Sequence, residues 1–386
     1  MDTSTNQLSV ADAEGVLALV PHMLGFHPEH SLVLLITSGS KLVAALRVDL
    51  PPGGASPFEE RAHAVRVGEY LEDMQEATGA FLVTYSASPA SRLAGRTRSP
   101  HRRVVKTVAE ELGARSVAVP DAWHVGPDGW RSHYCTDESC CPEQGHPLES
   151  IWLSDANLEL QFAGSAPGSR LWDGTPSSPW PAAATVRDMV GSILGGVLGA
   201  PDATGFLRRW CEAIEREPAD ALARLRSEPL ETGILLAGLH DYSVRDVLPF
   251  AAATATADGI AVAGELDAGG EAPRQLAEVL LGSAESAPDW DRLDRLWNIG
   301  AELVAAADGE DRCALLCVLG WIEWARGRSS AAAALLDGCL AANPAYALAG
   351  KLKTFLDQGR LPRWARDPAT AWRRGTGPGA MPGRET

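Results

Sequence analysis

Between residues 133 and 146 the sequence reads HYCTDESCCPEQGH, which puts three thiols and two imidazoles into one short loop. Zinc takes three or four thiolate or imidazole ligands at about 2.0–2.3 Å, and a loop leaving a strand end is able to deliver them. Adjacent cysteines rarely share one ion, and the CxxC knuckle is absent. The spacing therefore predicts a set of Cys135, one of Cys140 and Cys141, and His146, with His133 or Asp137 completing it. Cys135, Cys141 and His146 are the expected core of such a structural zinc site. Two other readings stay open for the same residues: a reactive or redox thiol, and a packed loop that holds no metal.

A second group of histidines stands in HMLGFHPEHSLVLLI (22–36), where His22, His27 and His30 precede an apolar run. His22 falls in the last turn of a helical pattern, where an imidazole helps satisfy free carbonyls. His27 before Pro28 and His30 before Ser31 read as the hinge into a buried strand, with a functional histidine as the alternative. A third candidate comes from topology. In a sheet with a parallel centre, ligands gather beyond the C-terminal strand ends. Those ends supply Thr37 and Ser38, then Tyr85, Ser86 and Ser88, and His124, as a candidate pocket for a polar molecule. The alternative is that Ser and Pro merely end the strands. Arg92, Arg96, Arg98, Arg102, Arg103 and Lys106 form a basic run without interleaved aromatic residues, which reads as a solvated face rather than a base-stacking surface. Phosphate-loop, dinucleotide, HExxH and GxSxG signatures are missing, which leaves open whether the chain is an enzyme.

The elements that must position these groups alternate early in the chain. Val16 to Leu24 reads as a helix capped by Gly25, Leu32 to Ile36 as a buried strand, and Leu42 to Val48 as its hairpin partner. Residues 57–77 carry a helical pattern and Ala80 to Tyr85 a strand; Ser99-Pro100 opens a helix with a Val104, Val105, Val108 and Leu112 face. Arg115 to Val125 and Trp130 to Tyr134 read as strands joined by the GPDG turn. The fold class is thus an α/β N-terminal domain, a mixed sheet with flanking helices, at 8–163. A proline-rich linker is expected at 164–181, an all-α C-terminal domain at 182–360 and a disordered tail at 361–386. Inside the helical part, residues 313–346 carry one tetratricopeptide-like helical hairpin, with Gly320, Ala332 and Leu336 at that repeat's spacings and Leu316 and Glu323 at its usual aromatic positions. Twelve tryptophans against seven phenylalanines have no functional explanation at this level.

A chain of 386 residues has room for two cores, and 34 basic against 50 acidic residues give a formal charge of −16. That balance discourages nucleic-acid or anionic-membrane binding. No apolar run reaches the roughly 18 residues of a membrane span, and no basic-then-hydrophobic leader opens the chain, so a cytoplasmic protein with reduced thiols is expected. The strings ALVPHMLGFHPEHSLVLL (18–35), RVDLP (47–51) and WRSHYCTDESCCPEQGHPL (130–148) together resemble an actinobacterial family known only as domain of unknown function 4192 (DUF4192). The resemblance covers most of the chain and implies that the α/β and helical parts travel together; it brings no activity, cofactor or catalytic residue. The leading expectation is a binding or scaffold protein whose helical domain offers a surface to a protein partner. The alternative is a small hydrolase or thiol- or metal-dependent enzyme, its site at the strand ends and the Cys/His loop. A groove of exposed apolar residues on the 289–358 helices would favour the first, and a deep pocket gathering Tyr85, His133, Cys135 and Cys141 the second.

Overall fold

The structure is a computed structural model that describes residues 12–372 apart from 73, 75, 89, 90, 94, 95, 99, 138, 143, 144, 170, 266–270 and 368, and apart from the side chains of 91–93 and 96–98. The chain divides into two compact units, one running to Leu171 and one from Trp172.

In the first unit, α1 (Ala13–Leu24) starts at Asp12, whose carboxylate accepts from the Gly15 amide. It ends at Gly25 in the left-handed region, φ 83°, whose N–H donates to the Pro21 carbonyl. Phe26 follows and is buried. Then come β1 (Ser31–Ser38), β2 (Lys41–Asp49), α2 (Pro57–Leu71), β3 (Gly79–Tyr85), the short pair β4 (Ser91–Leu93) and β5 (Arg96–Arg98), α3 (Arg102–Ala114), β6 (Ala122–Gly126), β7 (Gly129–Ser132), α4 (Leu148–Trp152) and α5 (Asp155–Phe162). One mixed five-stranded sheet has the order β2-β1-β3-β6-β7. β1 is antiparallel to both β2 and β3, β3 is parallel to β6, and β6 is antiparallel to β7.

The period-2 geometry of β1 sends Leu32, Leu34 and Ile36 to one face, where they meet Val67 and Leu71 of α2 and Val104, Val105, Val108 and Leu112 of α3. Val33 and Leu35 point the other way, into a core with Leu17, Val20, Trp123, Trp130 and Ile151. Both faces are covered, which is why β1 reads as continuous apolar sequence rather than alternation. Each such side chain contributes about 1.5–3 kcal/mol by leaving water.

Several boundaries differ from the sequence reading. The helix expected over 57–77 ends at Leu71, and the chain turns so that the Thr78 amide reaches the Thr37 carbonyl at 2.8 Å and sets β3 beside β1. The strand expected from Arg115 shortens to Ala122–Gly126; Pro120 lacks the N–H a ladder needs, and only a bridge between Gly79 and Ala118 precedes it. The helix expected to open at Ser99-Pro100 starts at Arg102. His101 stands at its cap with φ 60° and makes no side-chain cap bond, while Ser99 lies outside the described residues.

The second unit is helical among the described residues: α6 (Ala183–Leu194), α7 (Ala203–Glu215), α8 (Pro218–Ser227), α9 (Pro229–Gly238), α10 (Tyr242–Ala253), α11 (Thr256–Glu265), α12 (Glu271–Leu280), α13 (Trp290–Leu303), α14 (Gly309–Ala325), α15 (Ser329–Ala342), α16 (Ala347–Asp357) and α17 (Arg363–Arg366). The apolar pattern of 243–257 runs across the break at Thr254 that separates α10 from α11. Trp180, from the proline-rich stretch, sits in this unit's core. In the tetratricopeptide-like hairpin α14–α15, Gly320 packs against Leu336, and a Cβ there would lie 3.3 Å from the leucine side chain, which would have to shift slightly.

Tryptophan has its explanation here. The indole N–H groups of Trp210, Trp321, Trp324 and Trp364 donate to the carbonyls of Leu235, Leu280, Arg360 and Ala325, each tying one segment to another while the ring fills the core. The last of these corrects the expectation of a disordered tail from Leu361. Trp364 is 2% exposed and Trp372 donates to Asp294; residues 373–386 lie outside the described ones.

Glu323, at an aromatic position of the repeat, is 2% exposed and pairs with Arg326 at 2.7 Å and Arg328 at 2.8 Å, while Arg326 also lies over the Trp297 and Trp372 rings. Removing one partner of such a buried group strands the other charges. Glu323→Ala should therefore lower the unfolding free energy of the helical unit by about 3–5 kcal/mol, read from urea denaturation followed by tryptophan fluorescence.

Candidate functional site

The register of β3 decides where the loops meet. Ser31, the first residue of β1, pairs with Tyr85, the last of β3, and Tyr85 pairs with Val125 near the end of β6. The entry to β1 and the exits of β3 and β6 therefore share one end of the sheet. There they enclose a cavity of roughly 510 Å³. Leu17 and Ala18 of α1 and Leu148 and Ile151 of α4 form its apolar wall; His27, His30, Tyr85, Ser86 and Asn157 bring the polar groups. Glu29 is the one carboxylate among the described lining residues, and no Lys or Arg is among them.

Thr37 and Ser38 do not join this site. β1 runs antiparallel to β3, so its C-terminal end lies against Gly79 at the opposite end of the strands. The grouping expected from a parallel centre thus splits: Tyr85, Ser86, Ser88 and His124 remain together, whereas the two β1 residues lie opposite. Ser88 contributes its amide, which donates to Ser86 Oγ at 3.3 Å.

The histidines sort into latch, lining and buried relay. His22 does not serve its own helix end with its ring. Nδ1 meets Ser165 Oγ at 2.8 Å and Nε2 meets Asn157 Oδ1 at 2.9 Å, which ties α1 to α5 and its flank. His27 and His30 line the cavity, and His30 holds φ 49°, a left-handed conformation uncommon for a side-chain-bearing residue. Burial, then the neighbouring His22, keeps the His27 imidazole below its ordinary range.

Behind the cavity wall, His101 Nε2 lies 3.0 Å from Ser86 Oγ. His124 Nδ1 and His133 Nε2 lie 3.1 and 2.9 Å from Thr84 Oγ1, which also stands 3.3 Å from the Trp123 carbonyl. A hydroxyl has one proton. If Thr84 donates it to Trp123, both imidazoles must donate to Thr84, leaving the His133 Nδ1 lone pair buried without a partner, and that atom has none. Burial is the largest cause that pulls His124 down to about 4 and His133 down to about 3; His101 and Arg131 add to it at His124, and His124, His101 and Arg102 at His133. Burial pushes the Tyr85 phenol up.

His133 therefore turns inward and does not face the thiols. The cysteine loop is built by Ser132 and Asp137. Ser132 Oγ accepts from the amides of Tyr134 and Cys135 at 3.0 and 3.1 Å, and the Asp137 carbonyl accepts from those of Cys140 and Cys141 at 3.2 and 2.7 Å. The fold-back brings Cys135, Cys140 and Cys141 together, all three sulfurs lying within 4.8 Å of one another. His146 is placed elsewhere. Its ring stacks on Trp130 with centroids 4.2 Å apart, and its backbone bridges to Trp130. The set that converges is three sulfurs, both adjacent cysteines included, instead of the two thiols and an imidazole that the spacing suggested. Burial pushes the Cys141 thiol up to about 11, whereas hydrogen bonding at the Asp137 backbone holds Cys135 below its ordinary range.

Of the basic run, Arg103 grips Glu60 through two donors and Lys106 lies 3.6 Å from Glu110, as a solvated helix face does. Arg102 is exposed; the side chains of Arg92, Arg96 and Arg98 lie outside the described residues. Sequence reasoning missed His101 and Asn157. Neither belongs to a motif, and only the route of α3 and α5 past the sheet end brings them in.

Fold and site define a protein with a mixed-sheet α/β unit that carries a histidine-flanked cavity and a thiol-rich loop, followed in sequence by a helical unit. The chain belongs to the family described as "Domain of unknown function (DUF4192)", which matches residues 14–363. No curated protein and no solved structure matches it. Among the described residues no helix is long and apolar enough to cross a membrane.

The depressed histidines carry a sign. Histidines free of the fold take protons near pH 6.5, whereas His124 and His133 resist protonation until about 4 and about 3. The contribution of these two histidines to stability is therefore complete above about pH 7 and falls as pH drops, because the unfolded chain binds the extra protons, by up to roughly 1.4 kcal/mol per histidine per pH unit between about pH 6 and pH 4. Urea denaturation across that range should show the slope, and His124→Gln should make it shallower.

Proposed function

We propose that the N-terminal unit binds a small, neutral and largely apolar molecule in the cavity at the end of its sheet, in the cytoplasm. One observation carries this reading: strand ends, α1 and α4 surround roughly 510 Å³ whose wall is largely aliphatic and whose polar groups are imidazole, hydroxyl and amide, with the Glu29 carboxylate as the one charged group among the described lining residues. That is the size and lining of small-molecule sites. The absence of Lys and Arg from the described lining disfavours phosphates and carboxylates. A protein partner for the helical unit has less support. Among the described residues its exposed large apolar side chains are Leu194, Val197, Leu230, Tyr242 and Leu281, none of them on the 289–358 helices. The neutral solvatochromic dye 6-propionyl-2-dimethylaminonaphthalene should bind the full chain with one-to-one stoichiometry. Ala87→Trp, placed at the exposed side of the lining, should weaken it about tenfold or more, or about 1.4 kcal/mol, in a fluorescence titration. Equal affinity in the variant would remove the cavity as the binding site.

The cysteine loop supports a second, separate reading, a structural zinc ion held by Cys135, Cys140 and Cys141. Zinc–thiolate bonds near 2.3 Å put tetrahedral sulfurs about 3.8 Å apart, so sulfurs that all lie within 4.8 Å of one another need to approach by about 1 Å at most. A fourth position stays open to water or another donor. Elemental analysis of reduced, full-length protein should give one zinc per chain, lost in Cys140→Ser while the circular dichroism spectrum is retained. Folded protein free of metal would end this reading.

A further inference from the structure

We propose that Ser86 is a nucleophile, with His101 as its general base, and that the cavity accepts a neutral carboxylic ester with an apolar acyl group; this rests on the cavity reading above. The pair stands where three independent features coincide. Ser86 follows the last residue of β3, its amide donates to the Val125 carbonyl at 3.3 Å, and the residue is part of the cavity lining. Its hydroxyl lies 3.0 Å from His101 Nε2, within reach for proton transfer. His101 holds φ 60°, and it is followed at once by α3, whose Val104 and Val105 anchor it on the sheet. Strained backbone of this kind persists where the surroundings over-determine it, and such places cluster at functional sites.

The electrostatics agree with the role. Burial, the largest cause, and His30 keep the His101 imidazole below its ordinary range, so at neutral pH it is unprotonated and free to accept. The Glu60 carboxylate acts in the opposite direction and would stabilise the imidazolium once formed. Glu60 is itself fixed by Arg103 and is 7% exposed. In the first step Ser86 Oγ bonds to the ester carbonyl carbon and its proton moves to His101 Nε2. Collapse of the tetrahedral adduct breaks the bond to the alcohol oxygen, which leaves with that proton. Water then attacks the acyl-serine by the same route, releasing the carboxylic acid and restoring the hydroxyl. The aliphatic wall of Leu17, Ala18, Leu148 and Ile151 is the place for the acyl chain.

The test uses full-length protein, a fluorophosphonate probe and p-nitrophenyl butyrate. Peptide mapping should find the phosphonyl adduct on Ser86, and Ser86→Ala should lose both adduct and ester turnover. His101→Gly suits the left-handed backbone at that position, so it should fold. It should label about 10²-fold more slowly or worse, and added imidazole should restore part of the rate, which a merely structural role would not allow. An unlabelled Ser86, or Ser86→Ala turning over ester at the wild-type rate, overturns the proposal. The dye titration on the same sample separates the two readings: bound dye with unlabelled Ser86 sinks the nucleophile alone, whereas labelled Ser86 without dye binding sinks the cavity reading and leaves the pair standing.

Discussion

Everything at the sheet end depends on β3 being paired antiparallel on one side and parallel on the other. An antiparallel neighbour brings its beginning to the place where β3 ends, and a parallel neighbour brings its own end there. That is why the His27–His30 turn, the Tyr85–Ser88 exit and the Val125–Pro127 turn converge, and why Thr37 and Ser38 do not. A sheet parallel throughout would have collected a different set of side chains. Ladder hydrogen bonds fix this register, and they are specified by burial on both faces: a slip of one residue would exchange the Leu32–Leu34–Ile36 row with the Val33–Leu35 row and misfit both cores.

The polar groups beneath the cavity are the cost of this arrangement and its chemical content. Thr84 is fully buried, 0% exposed, and its single hydroxyl serves two imidazoles and a carbonyl. A buried network of this kind is stable only when its protons are correctly placed. His101 and Ser86 lie at its cavity-facing side, His133 at its most enclosed side, and the three rings follow one another with centroids 6.4 and 6.3 Å apart. Desolvation keeps them neutral, so the same burial that makes the unit sensitive to acid also supplies an imidazole lone pair next to a hydroxyl.

The helical unit solves its packing with tryptophan and a buried ion pair. Indole N–H groups that reach backbone carbonyls of other segments convert a large apolar ring into a directional tie, and Arg326 between Glu323, Asp294 and two indoles does the same with charge. In the tetratricopeptide-like hairpin the small residues hold the expected places, Gly320 against Leu336 above all. Glu323, where an aromatic residue is usual, instead recruits arginines, which gives this unit an electrostatic core that a repeat pattern alone does not describe.

Local signals in the sequence determined the elements: Asp12 and Gly25 bound the first helix, the apolar runs at 32–36 and 80–85 are strands, and most helices beyond 182 end at the Gly and Pro breaks that periodicity marks. These are effects of a few neighbouring residues on backbone dihedrals and one-sided burial, so a single chain displays them. The family, too, was legible in the strings at 18–51 and 130–148. Which chemistry-bearing residues meet was decided only by the tertiary structure. His101 and Ser86 are fifteen positions apart and His133 and Thr84 forty-nine, with no spacing rule connecting them. Likewise, Cys140 and Cys141 converge on Cys135 because one carbonyl, that of Asp137, accepts both amides. Pairing direction, register and loop closure are long-range, and the residues that depend on them carry no local mark.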